Sequence, residues 1–218
     1  MAGRFVFSKR CSYKHSCRTC LPMFLFDRLQ ASNHGIAKHL QTIQMETTNN
    51  HPKNITPSDL QERVKRAVDN FMQGYGCCQS VVAAFADLYG LDDLMAKRIA
   101  AGFGGGVGRM RMMCGAVSGI VILAGLECGQ TEGSDNDGKS ACYKTVQELL
   151  AKSKEQNGSI ICAEILGLKG NDKAQSSYVA SPRTAEYYKK RPCAAKVESA
   201  ARIFADYLQD KYCPQFDK

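Results

Sequence analysis

The sequence predicts an all-α fold, with a single helical bundle domain at residues 55–218 and a disordered basic tail at residues 1–54. Three observations support this prediction. Apolar residues recur with helical spacing between capping residues and glycines, one segment is apolar on every side, and no run alternates apolar and polar residues as a half-buried strand does. With 44% hydrophobic and 23% charged residues, the chain can enclose one core.

Local signals predict where the helices begin and end. Thr56 offers a capping hydroxyl, Pro57 fits the first turn, and Gly74 ends the first helix. The fourth helix contains the most apolar run of the chain, so it is predicted to be the buried centre of the bundle. After the first helix, and including this fourth one, seven helical segments are predicted, at about Cys77 to Tyr89, Asp93 to Ala101, Cys114 to Leu126, Lys139 to Lys154, Ile160 to Leu166, Ala185 to Lys189 and Cys193 to Tyr212.

The basic charge is concentrated in the tail. Residues 1–44 carry seven Lys and Arg side chains against one acid, whereas the rest of the chain carries 22 against 20. The domain is therefore nearly neutral, and it has no basic stripe interleaved with aromatic residues. The apolar patch from Leu21 to Phe26 is too short for a signal-peptide core or a membrane span. We expect neither nucleic acid nor a membrane as a partner.

The tail itself has two interpretations. Met45 opens a polar stretch typical of an ordinary disordered N-terminus, so translation that starts there is one of them. The other is a transit-like or disordered basic arm. In both cases we expect the tail to make few contacts with the domain. Cys17 and Cys20 have the spacing of a redox motif, but no βαβ pattern surrounds them.

The distribution of histidine restricts the chemistry of the domain. All four histidines, His15, His34, His39 and His51, lie before Pro52. The domain therefore lacks the imidazole of a Cys-His or Ser-His pair and the two histidines of a zincin helix. No Cys-x-x-Cys-His segment occurs, which excludes covalently attached haem. The chemistry of the domain is therefore expected to be that of its cysteines.

Four cysteines share one kind of position, the first turn of a predicted helix. They begin the second, fourth, sixth and last helices, and alternate helices of an up-and-down bundle run parallel. The four helix starts are therefore expected to meet at one end of the bundle. Unpaired N–H groups and the helix dipole favour a thiolate there. The candidate catalytic and metal-ligating residues are Cys77, Cys114, Cys162 and Cys193.

The segments around these cysteines resemble the C_GCAxxG_C_C family of redox-active proteins. The resemblance covers about Leu60 to Leu208, and it implies a helical protein with a redox role and four motif cysteines. It implies no substrate. The matching segments occur in order at Gly74 to Val81, Phe103 to Arg109 with Cys114 to Gly119, Cys162 to Gly167, and Cys193 with Val197 and Ala200.

A glycine-rich turn precedes Cys114. It follows a helix and lacks the Gly-Lys-Ser/Thr ending of a P-loop, so a nucleotide site has little support. We expect the turn to let backbone approach Cys114, with its N–H groups able to hold an anion or a cluster sulfur and Arg109 and Arg111 adding positive charge. A flexible connection between helices is the alternative. The candidate cofactor-binding residues are Gly104, Gly105, Gly106, Gly108 and Arg109.

The other cysteines of the domain are expected to be structural. Cys78 lies about 100° around the helix from Cys77, so only one of the two can face a common site, and the motif favours Cys77. Cys128, Cys142 and Cys213 are predicted in or beside loops and at the terminus, as incidental thiols.

The leading interpretation is a redox protein that uses the four cysteines as iron–sulfur cluster or metal ligands, or as dithiol/disulfide pairs. If it is an enzyme, it is a thiol- or cluster-dependent oxidoreductase. The expected cofactor is an iron–sulfur cluster, with zinc as the alternative. The second interpretation is a structural zinc-binding or helical interaction module without catalysis. We expect a cytoplasmic protein with an unidentified redox partner, and we allow for a homodimer.

Overall fold

The computed structural model describes residues 55–169 and 177–213, and helices connected by turns make up most of these ranges. An all-α fold is confirmed, because the described ranges contain no β-sheet and only one isolated antiparallel bridge, between Met113 and Ile161. The predicted tail lies outside the described residues. The α-helices are α1 (Pro57–Met72), α2 (Cys77–Phe85), α3 (Asp93–Ala101), α4 (Gly115–Cys128), α5 (Asn136–Asn157), α6 (Cys162–Ile165), α7 (Ala185–Lys190) and α8 (Cys193–Tyr212).

Capping residues fix the helix starts. The hydroxyl of Thr56 accepts a hydrogen bond from the Asp59 backbone at 3.2 Å, and the Asp59 carboxylate accepts one from the Thr56 backbone at 3.0 Å. α5 begins three residues before its predicted start, because Asp135 caps it by accepting a hydrogen bond from the Gly138 backbone at 2.8 Å. It extends to Asn157, where Gly158 adopts a φ of 78° and ends the helix.

The second predicted helix is divided in two. α2 ends at Phe85, and a 3₁₀ turn continues from Ala86 to Tyr89. Gly90 then takes a left-handed conformation with a φ of 70°. The sequence predicts the end of this unit but not the change in helix type within it.

α4 lies at the centre and packs against α2, α5 and α8. Residues 115–120 are all buried, in agreement with the prediction for this helix. The second half differs, because Leu126 is 41% exposed whereas Leu123 and Ala124 are buried. The buried positions there follow helical spacing, so neighbouring helices cover only one side of this end. The prediction of burial on every side is therefore wrong for the second half of α4.

α8 closes the core against α1, α2, α4 and α5. Phe204 of α8 meets Phe85 of α2 edge to face, with 5.3 Å between ring centroids, and both rings are fully buried. This packing holds the amino ends of α2, α4 and α8 in fixed positions.

No helix within the described ranges is long and apolar enough to span a membrane.

Candidate functional site

The four motif cysteines line one cavity of about 410 Å³. Cys77, Cys162 and Cys193 are the first residues of α2, α6 and α8, and Cys114 directly precedes α4. The structure therefore brings together the four positions that the sequence singles out. Cys114 and Cys162 are buried, and Cys77 and Cys193 are partly exposed.

The isolated bridge positions Cys114 and Cys162. The Cys114 backbone donates a hydrogen bond to Ile160 O at 2.8 Å, and the Cys162 backbone donates to Met112 O at 2.7 Å. Both cysteines directly follow the paired residues, Met113 and Ile161. Because side chains alternate across extended backbone, the two cysteines lie on the same face of this short ladder. The bridge thus joins the starts of α4 and α6.

Two glycines let backbone approach the cysteines closely. A methyl group at the Cβ position of Gly115 would lie 3.3 Å from Cys77 Cβ and 2.8 Å from Phe103 O. One at Gly106 would lie 2.7 Å from Cys162 Cβ. Side chains at these positions would collide with the walls of the cavity, so the site requires glycine at both.

The glycine-rich turn has an unusual backbone. Residues 105–109 all have positive φ, including Val107 at 57° and Arg109 at 68°, and Arg111 follows at 63°. Left-handed backbone is unfavourable for residues with a side chain, and such strain is concentrated at functional sites. Here the turn directs Arg109 and Arg111 to the cavity wall.

Among the described residues, no carboxylate lines the cavity, and five cations do, namely Arg109, Arg111, Arg183, Arg191 and Lys196. Arg183 donates a hydrogen bond to Tyr75 O at 3.2 Å. The guanidinium groups of Arg183 and Arg191 both lie on the ring of Tyr187, at 4.6 and 4.8 Å from its centroid. Arg109 donates to the Ser181 hydroxyl at 3.0 Å. The cations are thus held in place by neutral partners.

Cys77 and Cys193 line the same cavity, and their thiols shift each other's pKa. Interaction with the Cys77 thiol, together with the charges of Arg191, Arg183 and Arg111, lowers the pKa of Cys193 to about 7, although burial opposes the shift. Interaction with Cys193, followed by burial, raises the pKa of Cys77 well above its usual range. The pair therefore loses its first proton more readily than its second, and the nearby arginines favour the resulting negative charge on Cys193.

The other two cysteines are not activated in this way. Burial raises the pKa of Cys114, despite the backbone N–H groups of Ala116 and Val117 at its sulfur. Burial also raises the pKa of Cys162, although the Arg111 guanidinium hydrogen-bonds to it and opposes the shift. Burial therefore opposes the activation that a helix start is expected to give Cys114 and Cys162.

A family model described as "Putative redox-active protein (C_GCAxxG_C_C)" matches residues 75–207. The chain belongs to this family. The resemblance found in the sequence is confirmed, and the match covers α2 through most of α8 with all four motif cysteines. No curated protein and no solved structure matches the chain.

In this C_GCAxxG_C_C protein the glycine turn forms one wall of the cavity. Gly104, Gly105, Gly108 and Arg109 line the cavity, and Gly106 packs behind Cys162. All five candidate cofactor-binding residues thus lie at the site.

The remaining cysteines of the described ranges lie away from the cavity. Cys78 is fully buried between α2 and α3, where burial raises its pKa to about 12. Cys142 lies inside α5, not beside a loop as predicted, and Cys128 is the last residue of α4. The thiol of Cys213 donates to Ile55 O at 3.1 Å. None of these residues lines the site.

The sequence reasoning missed three of the five cations and the aromatic ring beneath two of them. Arg183 and Tyr187 lie in segments interpreted as a linker and a brief helix, and Arg191 and Lys196 flank Cys193. The signal available was the position of Arg191 two residues before Cys193 and Lys196 three residues after it. Nearby cations are expected to stabilise a thiolate at such a position.

Proposed function

We propose that the protein is a dithiol–disulfide redox protein in which Cys193 is the nucleophile and Cys77 the resolving thiol. The observation that carries this proposal is that both cysteines line one cavity, whose cations favour a negative charge on the pair. A nucleophilic thiolate next to a protonated partner is the arrangement that thiol–disulfide exchange needs. Membership of a family described as redox-active supports a redox role in general, without specifying the reaction.

In the proposed reaction, the Cys193 thiolate attacks one sulfur of a substrate disulfide, RSSR. The substrate S–S bond breaks, RS⁻ leaves, and a mixed disulfide joins Cys193 to the remaining RS group. Cys77 gives its proton to the first leaving thiolate and attacks the Cys193 sulfur, which releases the second RS⁻. The substrate gains two electrons, and the protein dithiol becomes a Cys77–Cys193 disulfide.

The surrounding residues support each step. Arg183, Arg191 and Arg111 stabilise the attacking thiolate, and they lie where leaving thiolates would form. Interaction with Cys193 and burial both raise the pKa of Cys77, so Cys77 stays protonated while the Cys193 thiolate is present. The charge of that thiolate disappears in the mixed disulfide, so the pKa of Cys77 then falls. The order of attack therefore follows from the two pKa shifts.

A second candidate is an iron–sulfur cluster held by all four cysteines. Cys114 and Cys162 favour it, because a dithiol mechanism needs only two thiols and the same cavity holds four. The cations would offset the negative charge of four thiolates, and the cluster would supply one-electron chemistry. A zinc ion held by the same cysteines is the alternative metal. No three His, Cys, Asp or Glu side chains in the described ranges are arranged to hold one metal ion, and this weighs against zinc and against the cluster alike.

Single Cys→Ser variants at the four positions separate these candidates. Each variant is purified without oxygen, its iron, zinc and acid-labile sulfide are measured, and it is then equilibrated in a thiol–disulfide buffer. Peptide mapping by mass spectrometry locates the disulfides. The dithiol proposal predicts a Cys77–Cys193 disulfide that survives in Cys114→Ser and Cys162→Ser but not in Cys77→Ser or Cys193→Ser. Cys128→Ser and Cys213→Ser serve as controls that retain it.

The cluster candidate predicts a different pattern. Iron and sulfide in stoichiometric amounts would then be lost in all four variants and retained in both controls. Absence of a Cys77–Cys193 disulfide under every buffer condition would overturn the dithiol proposal, whereas a colourless, metal-free protein that forms it would overturn the cluster. Stoichiometric zinc without a disulfide would support the structural module.

A further inference from the structure

The cations of the cavity lack acidic partners among the described residues. None of Arg109, Arg111, Arg183, Arg191 and Lys196 forms an ion pair there, whereas five cations outside the cavity pair with Asp or Glu, namely Arg63, Arg66, Lys97, Arg202 and Lys211. Nη1 of Arg183 is buried without a hydrogen-bond partner, and so is Nε of Arg109. One thiolate at Cys193 balances only one of the five charges. The cavity therefore has an excess of positive charge and unused hydrogen-bond donors.

We propose that the disulfide reduced at this site is a small molecule carrying at least two carboxylate or similar anionic groups. This inference rests on the proposed function and names its substrate class. Guanidinium groups present paired donors that match carboxylates, and four of the five cations are arginines. The cavity volume of about 410 Å³ is in the range of small-molecule sites.

The distribution of the cations suits such a substrate. Arg109 and Arg111 project from the glycine turn, whereas Arg183, Arg191 and Lys196 come from the segments around α7 and the start of α8. The thiol pair lines the same cavity, so a disulfide with an anionic group at each end can meet cations from both segments. Ile165 and Leu166 offer apolar contact for the carbon chain between them.

The charge also acts on the reaction itself. Each exchange step releases RS⁻, and the excess positive charge stabilises these leaving groups inside the cavity. Attraction of the anionic substrate raises its local concentration and its association rate, an effect on the order of 10 to 1,000-fold that salt reduces. A neutral disulfide gains only the first of these effects, and a cationic disulfide is repelled.

Three disulfides of similar length and different charge test the inference: 3,3′-dithiodipropionate, 2-hydroxyethyl disulfide and cystamine. The reduced full-length protein is mixed with each disulfide at low salt without added reductant. The rate of Cys77–Cys193 disulfide formation is measured by quenching and mass spectrometry. Each rate is divided by that of free dithiothreitol, which corrects for intrinsic reactivity. We expect the dianion to react at least about tenfold faster than the neutral disulfide, and the dication slowest.

Substitution of Lys196 tests whether the cavity is the source of the preference. Lys196 lines the cavity but is not among the cations that lower the pKa of Cys193 most, so Lys196→Gln removes a binding charge while largely preserving the nucleophile. We expect the dianion-to-neutral rate ratio to fall several-fold. Arg202→Gln is the matched control, because Arg202 lies on the same helix, outside the cavity, and pairs with Glu198 at 3.0 Å.

The outcomes separate this inference from the function on which it rests. If all three disulfides oxidise the pair at similar corrected rates, the anionic substrate class is wrong and the dithiol function stands. If none of them oxidises the pair, the dithiol function itself is wrong. If Arg202→Gln lowers the ratio as much as Lys196→Gln does, the preference comes from the overall charge of the protein, and the assignment to the cavity is overturned.

Discussion

Gly106 lies directly against Cys162, so close that a methyl group at its Cβ position would come within 2.7 Å of Cys162 Cβ and 2.8 Å of Met112 N. Gly106 also has a φ of 77°. We expect Gly106→Ala to displace the start of α6 and to lower the free energy of unfolding by about 1–3 kcal/mol beyond the left-handed backbone cost. Urea denaturation measures the loss.

Gly108→Ala is the control for this change. Gly108 has a φ of 56°, and nothing lies within 4 Å of its Cβ position. Gly108→Ala should therefore lower the free energy of unfolding only by the cost of a left-handed backbone, about 1–2 kcal/mol. Equal losses in the two variants would show that the contact with Cys162 does not constrain the glycine turn.

Local sequence signals account for most of the fold. Thr56 with Asp59 fixes the start of α1, and Gly90 and Gly158 end helical units where a left-handed residue is required. The start of α5 was placed too late, because the cap at Asp135 lies in a loop rich in Gly, Ser and Asp that offers several capping residues. Helix ends are thus predictable where one residue type is required and less so where several will serve.

The site was predictable from the sequence only in part. The four cysteines were found because each begins a helix, which is a local property. Their different pKa shifts depend on burial and on Arg183 and Arg191, which come from a segment far from Cys77 in the sequence. Such long-range contacts leave no periodic signal. The buried Glu127 was missed for the same reason, since its partners Tyr89 and Lys211 lie on other segments.

The aromatic contact between Phe85 and Phe204 is expected to carry much of the core stability. Both rings are fully buried and meet edge to face. Phe85→Ala should leave a cavity between α2 and α8 and lower the free energy of unfolding by about 3–5 kcal/mol. Tyr143→Ala on α5 is the control, because Tyr143 is 61% exposed and its loss should change stability by about 0.5 kcal/mol or less. Similar losses from both variants would contradict this account of the core.

Lys211 offsets the charge of a buried carboxylate. Its ammonium lies 2.6 Å from Glu127 Oε1, and Glu127 is 2% exposed. We expect Lys211→Met to lower the free energy of unfolding by about 1–3 kcal/mol, because Glu127 loses a charged donor where water cannot replace it well. Lys144→Met removes an exposed ion pair with Glu148 and should cost about 1 kcal/mol or less. Thermal or urea denaturation of the two variants makes the comparison.

The lowered pKa of Cys193 predicts the pH dependence of its reactivity. Only the thiolate is alkylated, so the rate for Cys193 with iodoacetamide should rise with pH to half its maximum near pH 7, where the pKa lies. An unperturbed thiol reaches half its maximal alkylation rate at about pH 8.5. Cys78, whose pKa is raised to about 12, should remain unreactive over the same range. Rates for individual cysteines are obtained by quenching at intervals and mapping the alkylated peptides.

Two variants at Cys77 test the cause of this shift. Cys77→Ala removes the thiol whose interaction lowers the pKa of Cys193 most, so the midpoint should move upward toward the ordinary thiol value. Cys77→Ser keeps a hydroxyl donor of similar size, so its midpoint should stay closer to 7. Arg191→Gln should also raise the midpoint, because a positive charge is lost. A wild-type midpoint at about 8.5, or equal midpoints in the alanine and serine variants, would show that the interaction with Cys77 does not set the reactivity of Cys193.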